Sequence, residues 1–196
     1  MITTPELAPR SGYVEVEVDG RRTYKNIQTG VLIEDEIPVV TIDSIKSAKI
    51  VEVKQSCENY INAGADVTYS DGTTEHFTYT LADQSNISEM FTAIMAGATE
   101  YPYHADGEIC KIYSKDKIVT IYGTLSLFKT EATTYHNSLK AQINAMTDIN
   151  AINTAKFKET VLTGEYLENY TVMMASAQTQ LNTILAKIPS DEVSKS

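Results

Sequence analysis

The chain has 196 residues, 42% of them hydrophobic and 21% charged, a composition typical of a folded protein rather than a disordered one. Its formal net charge of −10 argues against a nucleic-acid or anionic-membrane partner, because both need a basic face. The two cysteines, Cys57 and Cys110, are too few for a disulfide framework and do not have metal-ligand spacing.

The sequence predicts neither an N-terminal signal peptide nor a membrane span. The residues after Met1 lack a basic region followed by an apolar run. No apolar run in the chain approaches the roughly 18 residues that would indicate a span. We therefore expect the protein to be made in a cytoplasm.

An extended arm and a hairpin are predicted at the start of the chain. Residues 1–12 contain two prolines and show no periodicity, which is typical of an arm. An alternating strand follows, and Asp19-Gly20 then supplies a two-residue turn before a return strand. A lone hairpin is barely stable in water, so its apolar side must pack on its own domain or on a neighbouring subunit. The predicted interface residues here are Val14, Val16 and Val18.

A linker and the first long helix come next. Residues 26–43 contain Gly30 and Pro38 and read as a linker with some strand. Asp43 or Ser44 is then expected to cap a helix over residues 45–63, which ends at a glycine. The apolar stripe of this helix predicts that Cys57 faces the core.

A switch from strand to helix is predicted near Asp83. Residues 77–81 alternate as a strand with an aromatic face, and they end a hairpin predicted over residues 65–81. Asp83, Ser85 and Asn86 are residue types that accept hydrogen bonds from free N–H groups at a helix start. A helical apolar stripe follows, formed by Ile87, Met90, Phe91, Ile94, Met95 and Ala98.

This stretch resembles a domain of unknown function found in bacteriophage tail and prophage proteins. The likeness rests on the aromatic strand and three short motifs, Asp83-Gln84-x-Asn86-Ile87, Ala96-Gly97-Ala98 and Tyr103-x-x-Asp106-Gly107. It covers roughly residues 45–157. The resemblance implies a structural component of a phage tail or related particle, and it brings no catalytic residues.

The remaining core is predicted as a turn, a strand and a helix. Asp106-Gly107 is a turn signal between two short strands. Residues 118–122 form a strand-like run, and the chain is expected to become helical near Thr124 and to stay so until Met146. A break with short helical turns is expected over residues 148–158.

The C-terminal helix carries a strict heptad seam. Its apolar residues recur at alternating spacings of three and four, and Pro189 is expected to stop the helix. Three alternatives stay open for this seam: a homo-oligomer, packing on the helix over residues 124–146, and pairing with a different tail protein. The seam residues are Leu167, Tyr170, Met174, Ala177, Leu181, Ile184 and Ile188.

No motif predicts catalysis, a cofactor or a metal. His104, Asp106, Glu108 and Cys110 would share one face of an unbroken strand and could ligate zinc, but the Asp106-Gly107 turn breaks that geometry. We expect a polar surface hairpin instead.

The other polar residues are also expected to lie on the surface. His76 and His136 have no nucleophile at a readable spacing, and both are predicted as surface or edge histidines. The acidic run of residues 34–36 is predicted as a solvated loop or a docking patch for a basic neighbour.

The sequence thus predicts an α+β protein of long helices packed with short β-hairpins. Residues 1–44 form an attachment region, residues 45–158 the core domain, and residues 159–196 a C-terminal helix and polar tail. We expect no enzyme, but a phage-tail structural protein near the baseplate or fibre attachment region, located in the virion after assembly in the host cytoplasm. Its partners would be other tail or fibre proteins or copies of itself. A tail or fibre assembly chaperone is the alternative, and a glycan hydrolase is the third class.

Overall fold

A computed structural model describes residues 10–33 and 41–188 of the chain. The chain divides into two compact units, Met1–Thr41 and Ile42–Ser196, and each is described by itself. The C-terminal helix belongs to the second unit, so the structure has two units where the sequence predicted three regions. The expected stop at Pro189, the polar tail and the acidic run of residues 34–36 lie outside the described residues, as do residues 1–9 of the predicted arm.

The first unit is a three-stranded antiparallel sheet in the order β1-β2-β3. The strands are β1 (Tyr13–Val18), β2 (Arg21–Asn26) and the short β3 (Leu32–Ile33). Asp19 and Gly20 both have positive φ, at 50° and 73°, which is the backbone conformation of a type I′ turn. The predicted hairpin is therefore confirmed, and β3 confirms part of the strand expected in the linker.

The second unit contains the helices α1 (Ile42–Ala63), α2 (Leu81–Met95), α3 (Lys115–Ala145), α4 (Ile149–Thr154) and α5 (Gly164–Leu185). It also contains two antiparallel hairpins, β4 (Ala65–Thr68) with β5 (Thr74–Phe77), and β6 (Glu100–Tyr103) with β7 (Lys111–Ser114). The helix α3 contacts α1, α2 and α5, and it also contacts three strands of the second unit, β4, β6 and β7. The expected α+β fold of long helices and short hairpins is confirmed.

Two separate hydrophobic clusters lie along α3. The hairpin cluster joins both hairpins and α2 to the N-terminal half of α3, where Ile118, Ile121 and Leu125 are fully buried. The helical cluster joins α1, α4 and the residues before α5 to the C-terminal half of α3, through Leu139 and Ile143. One helix therefore supplies a wall to both cores.

The strand-to-helix switch lies earlier than the sequence predicted. The strand β5 ends at Phe77, and α2 begins at Leu81, whose side chain is 82% exposed. Thr80 is the N-cap and forms a capping box with Asp83, so the predicted caps at Ser85 and Asn86 were wrong. The predicted stripe is confirmed where it matters for the core, since its four buried members are Ile87, Met90, Phe91 and Ile94.

The run over residues 118–122 is helical, so the strand predicted there was wrong. These residues lie inside α3, which begins directly after β7. Ile118, Ile121 and Leu125 are spaced by three and four residues, and all three face the hairpin cluster. The β-branched residues favour a strand locally, but burial of this helical stripe decides the conformation.

The expected helix end at Gly64 is confirmed, and it gives a matched pair of glycine substitutions. Gly64 and Gly72 have φ of +80° and +82°, but a Cβ at Gly64 would lie 1.8 Å from the Phe77 carbonyl oxygen, whereas nothing lies within 4 Å at Gly72. We expect Gly72→Ala to lower the free energy of unfolding by about 1–2 kcal/mol from backbone strain alone. Gly64→Ala should lower it by about 3 kcal/mol or more, because backbone atoms must also move.

Urea denaturation of both variants measures these losses. Equal losses for the two variants would contradict a close approach of α1 and β5 at Gly64.

Candidate functional site

The predicted valines of β1 lie on one face of the N-terminal sheet. The register pairs Val14 with Lys25 and Val16 with Thr23, and Lys25 pairs in turn with Leu32 of β3. Directly paired residues point to the same side of a sheet, so Leu32 joins the valines. We call Val14, Val16, Val18 and Leu32 the N-terminal apolar face; Val14 is 47% exposed, Val18 37% and Leu32 40%.

Leu32 was missed by the sequence reasoning, although a signal for it exists. It lies in the apolar run of residues 31–33, directly after the turn that leads from β2 to β3. Asn26 fixes that turn, because its side-chain oxygen accepts hydrogen bonds from the backbone N–H groups of Gln28 at 2.9 Å and Thr29 at 3.1 Å.

The opposite face of this sheet carries polar and aromatic residues. Arg22 donates a hydrogen bond to Glu15 at 3.3 Å, and Tyr24 pairs with Glu15 across the strands. The strand β1 is an edge strand of the described sheet. Within residues 10–33, the first unit therefore combines a partly exposed apolar face with a strand edge that no other described strand pairs, two features typical of surfaces that bind another chain.

The predicted seam of α5 packs largely within the chain. Leu181 is buried, Ile188 contacts the hairpin cluster, and Tyr170 contacts the helical cluster. Met174 and Ala177 are half-buried. The intramolecular alternative accounts for these residues, because α5 packs on α3.

Two seam residues are left exposed by this packing. Leu167 is 47% exposed and Ile184 is 37% exposed. These two residues belong to the second unit, whereas the N-terminal apolar face belongs to the first. An interface through these positions remains a prediction.

Polar contacts hold the start of α5 in place. The buried side chain of Gln142 donates to the Val161 carbonyl at 3.0 Å and accepts from the Thr163 N–H at 2.9 Å. Tyr170 donates to Glu131 at 2.7 Å, and the same carboxylate pairs with Lys158. These contacts fix α5 relative to α3.

Two polar positions of α3 were not singled out by the sequence reasoning. Ser138 and Gln142 lie three and seven residues after Tyr135, at the spacing of core residues. Both are buried, at 4% and 7% exposure. A polar residue at a core position of a helix is the signal that could have found them, since such groups need a partner.

A groove of about 610 Å³ lies between α3 and the first half of α5. A smaller hollow of about 330 Å³ lies beside Tyr135, Lys158 and Leu167. The groove has a mixed polar and apolar lining, which includes Asn137, Ser138, Glu165, Glu168, Asn169 and Val172.

A partly buried polar cluster joins the two hairpins around Glu75. Its carboxylate accepts hydrogen bonds from the hydroxyls of Tyr69 and Tyr113, each at 2.8 Å, and from the Lys111 ammonium at 2.5 Å. Burial opposes ionisation, but these hydrogen bonds outweigh it and lower the pKa of Glu75. Burial and the neighbouring carboxylate raise the pKa of both tyrosines, so their phenols act as protonated donors rather than nucleophiles.

The residues weighed as zinc ligands lie around the β6–β7 loop. Asp106 accepts hydrogen bonds from the backbone N–H of Thr78 at 2.7 Å and from its hydroxyl at 3.1 Å. Within residues 10–33 and 41–188, no group of three or more His, Cys, Asp or Glu side chains could hold a metal ion. Asp106 thus serves to join the β6–β7 loop to the end of β5.

The two predicted surface histidines differ in environment. His76 bonds to Asp66 at 2.7 Å and to the Ala63 carbonyl at 2.9 Å, and its side chain is 46% exposed. His136 is half-buried, and burial lowers its pKa. Among the helices of the described ranges, none combines the length and apolar character that a membrane span requires.

Comparison with known families identifies the central part of the chain. Residues 44–157, more than half of the chain, match the domain of unknown function DUF4376. The chain belongs to this family. No curated protein and no solved structure matches it. The match takes in nearly all of α1, both hairpins and α2 to α4, whereas α5 and the N-terminal unit lie outside it.

The buried glutamine of this DUF4376 domain should be required for α5 to pack. Replacing Gln142 with leucine keeps the size of the side chain but removes the partners of Val161 O and Thr163 N–H. We expect the free energy of unfolding to fall by about 2–3 kcal/mol, the cost of unpaired polar groups. Urea denaturation measures it, with Gln180→Leu on the exposed side of α5 as the control, expected within about 0.5 kcal/mol of the native chain. Equal effects would contradict the anchoring role.

His76 should make stability depend on pH. The hydrogen bonds to Asp66 and Ala63 raise its pKa above the ordinary 6.5. The resulting stabilisation is fully present at pH values below the pKa of His76 in the unfolded chain. It is lost as pH rises through the higher pKa of His76 in the folded chain. Asp66→Asn should therefore destabilise the protein more at pH 5.5 than at pH 8.5, and the NMR titration of His76 should move to lower pH.

A control substitution separates this effect from a general loss of negative charge. Asp116→Asn, in the first turn of α3, should reduce stability equally at both pH values. A His76 titration unchanged by Asp66→Asn would contradict the proposed coupling.

Proposed function

We propose that this chain is a structural component of a bacteriophage tail or tail-like particle, near the baseplate or fibre attachment region, and that it acts by binding other proteins. The observation that carries the assembly role is the N-terminal apolar face. Its valines and Leu32 are partly exposed, and residues 10–33 of this unit form three short strands. Apolar residues presented in this way are stabilised when a second chain covers them.

The second unit supports the same role in a different way. Three of its partly or fully buried polar side chains join elements: Glu75 joins the hairpins, and Gln142 and Glu131 anchor α5. The phenols beside Glu75 have raised pKa values, which is the opposite of what a nucleophile needs. Rigid anchoring of this kind suits a scaffold that presents surfaces to partners.

The location in a tail particle has a separate basis. It rests on the resemblance of residues 45–157 to phage tail and prophage domains, since the description of the DUF4376 family gives no function. Mass spectrometry of purified mature particles tests this location. The chain should be present in them; its absence from mature particles, with presence in assembly intermediates, would favour the assembly chaperone.

The N-terminal apolar face should be required for association. The double variant Val14→Thr with Val18→Thr keeps β-branched side chains but removes apolar contact, and we expect it to fold normally and to lose incorporation into particles. Ile27→Thr with Val31→Thr alters exposed apolar residues outside the strands of the same unit and should be incorporated as the native chain is. Equal incorporation of both variants would contradict a binding role for the face.

A further inference from the structure

The groove between α3 and α5 contains a buried hydroxyl without a partner. Ser138 lines the groove, is 4% exposed, and its Oγ has no hydrogen-bond partner among the described residues. A helical serine commonly donates to the carbonyl one turn earlier, but this one does not. An unpaired buried hydroxyl destabilises a fold, so its presence in the wall of a groove points to a ligand that completes it.

The walls around Ser138 are acidic and rich in hydrogen-bond acceptors. The carboxylates of Glu165 and Glu168 and the amides of Asn137 and Asn169 line the groove, and none of the described residues that line it is basic. The N-terminus of α5 lies at the same end and carries only about half a positive charge. Two full negative charges outweigh it, so the groove favours a cation.

The apolar part of the lining narrows the class of cation that the groove can bind. Ala141 and Val172 supply apolar surface beside the carboxylates. An arginine side chain matches this combination, because its methylenes pack on apolar surface and its planar guanidinium offers five donors to carboxylate, amide and hydroxyl oxygens.

We propose that this groove binds an arginine side chain of a partner protein. The inference rests on the proposed assembly role in one point only, that the arginine belongs to a partner. The affinity itself is a property of the isolated chain. The groove is formed partly by α5, so the DUF4376 match covers only the α3 side of the site.

The test is an NMR titration of the full chain with the peptide acetyl-Gly-Ser-Arg-Ser-Gly-amide. Saturable shifts should centre on Asn137, Ser138 and Asn169. The same peptide with citrulline, which is uncharged, should bind about tenfold more weakly, as should the lysine peptide, which lacks the planar fork. The proposal would be overturned if the citrulline peptide, the lysine peptide or spermidine bound as tightly as the arginine peptide. It would also be overturned if the arginine peptide showed no saturable binding.

Two sets of variants locate the binding. Glu165→Gln with Glu168→Gln should weaken the arginine peptide about tenfold, whereas Glu58→Gln with Glu89→Gln, which changes the net charge equally at exposed positions elsewhere, should leave the affinity unchanged. Equal weakening by both pairs would show binding to the overall negative charge and would overturn a site in the groove.

Ser138→Ala separates a ligand-binding role from a structural one. Removing an unpaired hydroxyl should leave the melting temperature unchanged or raise it, while it weakens peptide binding several-fold. A lowered melting temperature with unchanged affinity would overturn the role of Ser138. The particle experiment has an independent outcome: peptide binding by a chain absent from particles would refute the tail location and leave the groove intact.

Discussion

The burial of α3 along its whole length is the constraint on which the rest of the second unit depends. The helix has 31 residues and is therefore about 46 Å long. No single small core can cover a helix of that length, and the chain covers it with two. The hairpins and α2 bury its first half, and α1, α4 and the residues before α5 bury its second half. The other elements are arranged by which part of α3 they cover.

Polar contacts inside this arrangement decide how each element is oriented. Apolar burial is not directional, so it cannot by itself fix the angle between two hairpins or the position of a helix start. Glu75 supplies that direction for the hairpins, since three donors from both of them converge on one carboxylate. Gln142 does the same for α5 through two backbone groups. Satisfied buried networks of this kind specify one packing among several.

Local signals made much of this fold predictable from the sequence. The Asp19-Gly20 turn, the end of α1 at Gly64 and the apolar stripe of α2 each depend on residues close in the chain. Predictions failed where distant contacts decide. The β-branched run of residues 118–122 is helical because it covers the hairpin cluster. The cap at Thr80 differs, because Thr80 and Asp83 form a local capping box that the sequence carries and the prediction missed. The groove could not be predicted, because its walls come from two helices whose packing depends on a glutamine and a carboxylate in α3.

The two clusters on α3 also bear on how the unit opens. Each cluster is a separate set of buried residues, and α3 contributes to both. The helix α1 and the C-terminal segment that includes α5 also contact both clusters, through Ile61 and Ile188 at the hairpin cluster and Val53 and Tyr170 at the helical one. Two separate clusters favour two cooperative regions, so α4 and the first part of α5 can detach with the helical cluster while the hairpins and the end of α5 stay folded. Amide protons in the two halves of α3 would then exchange with solvent at different rates. The groove beside α5 lies on the half that can open, where a bound partner would slow exchange and raise the stability of the whole chain.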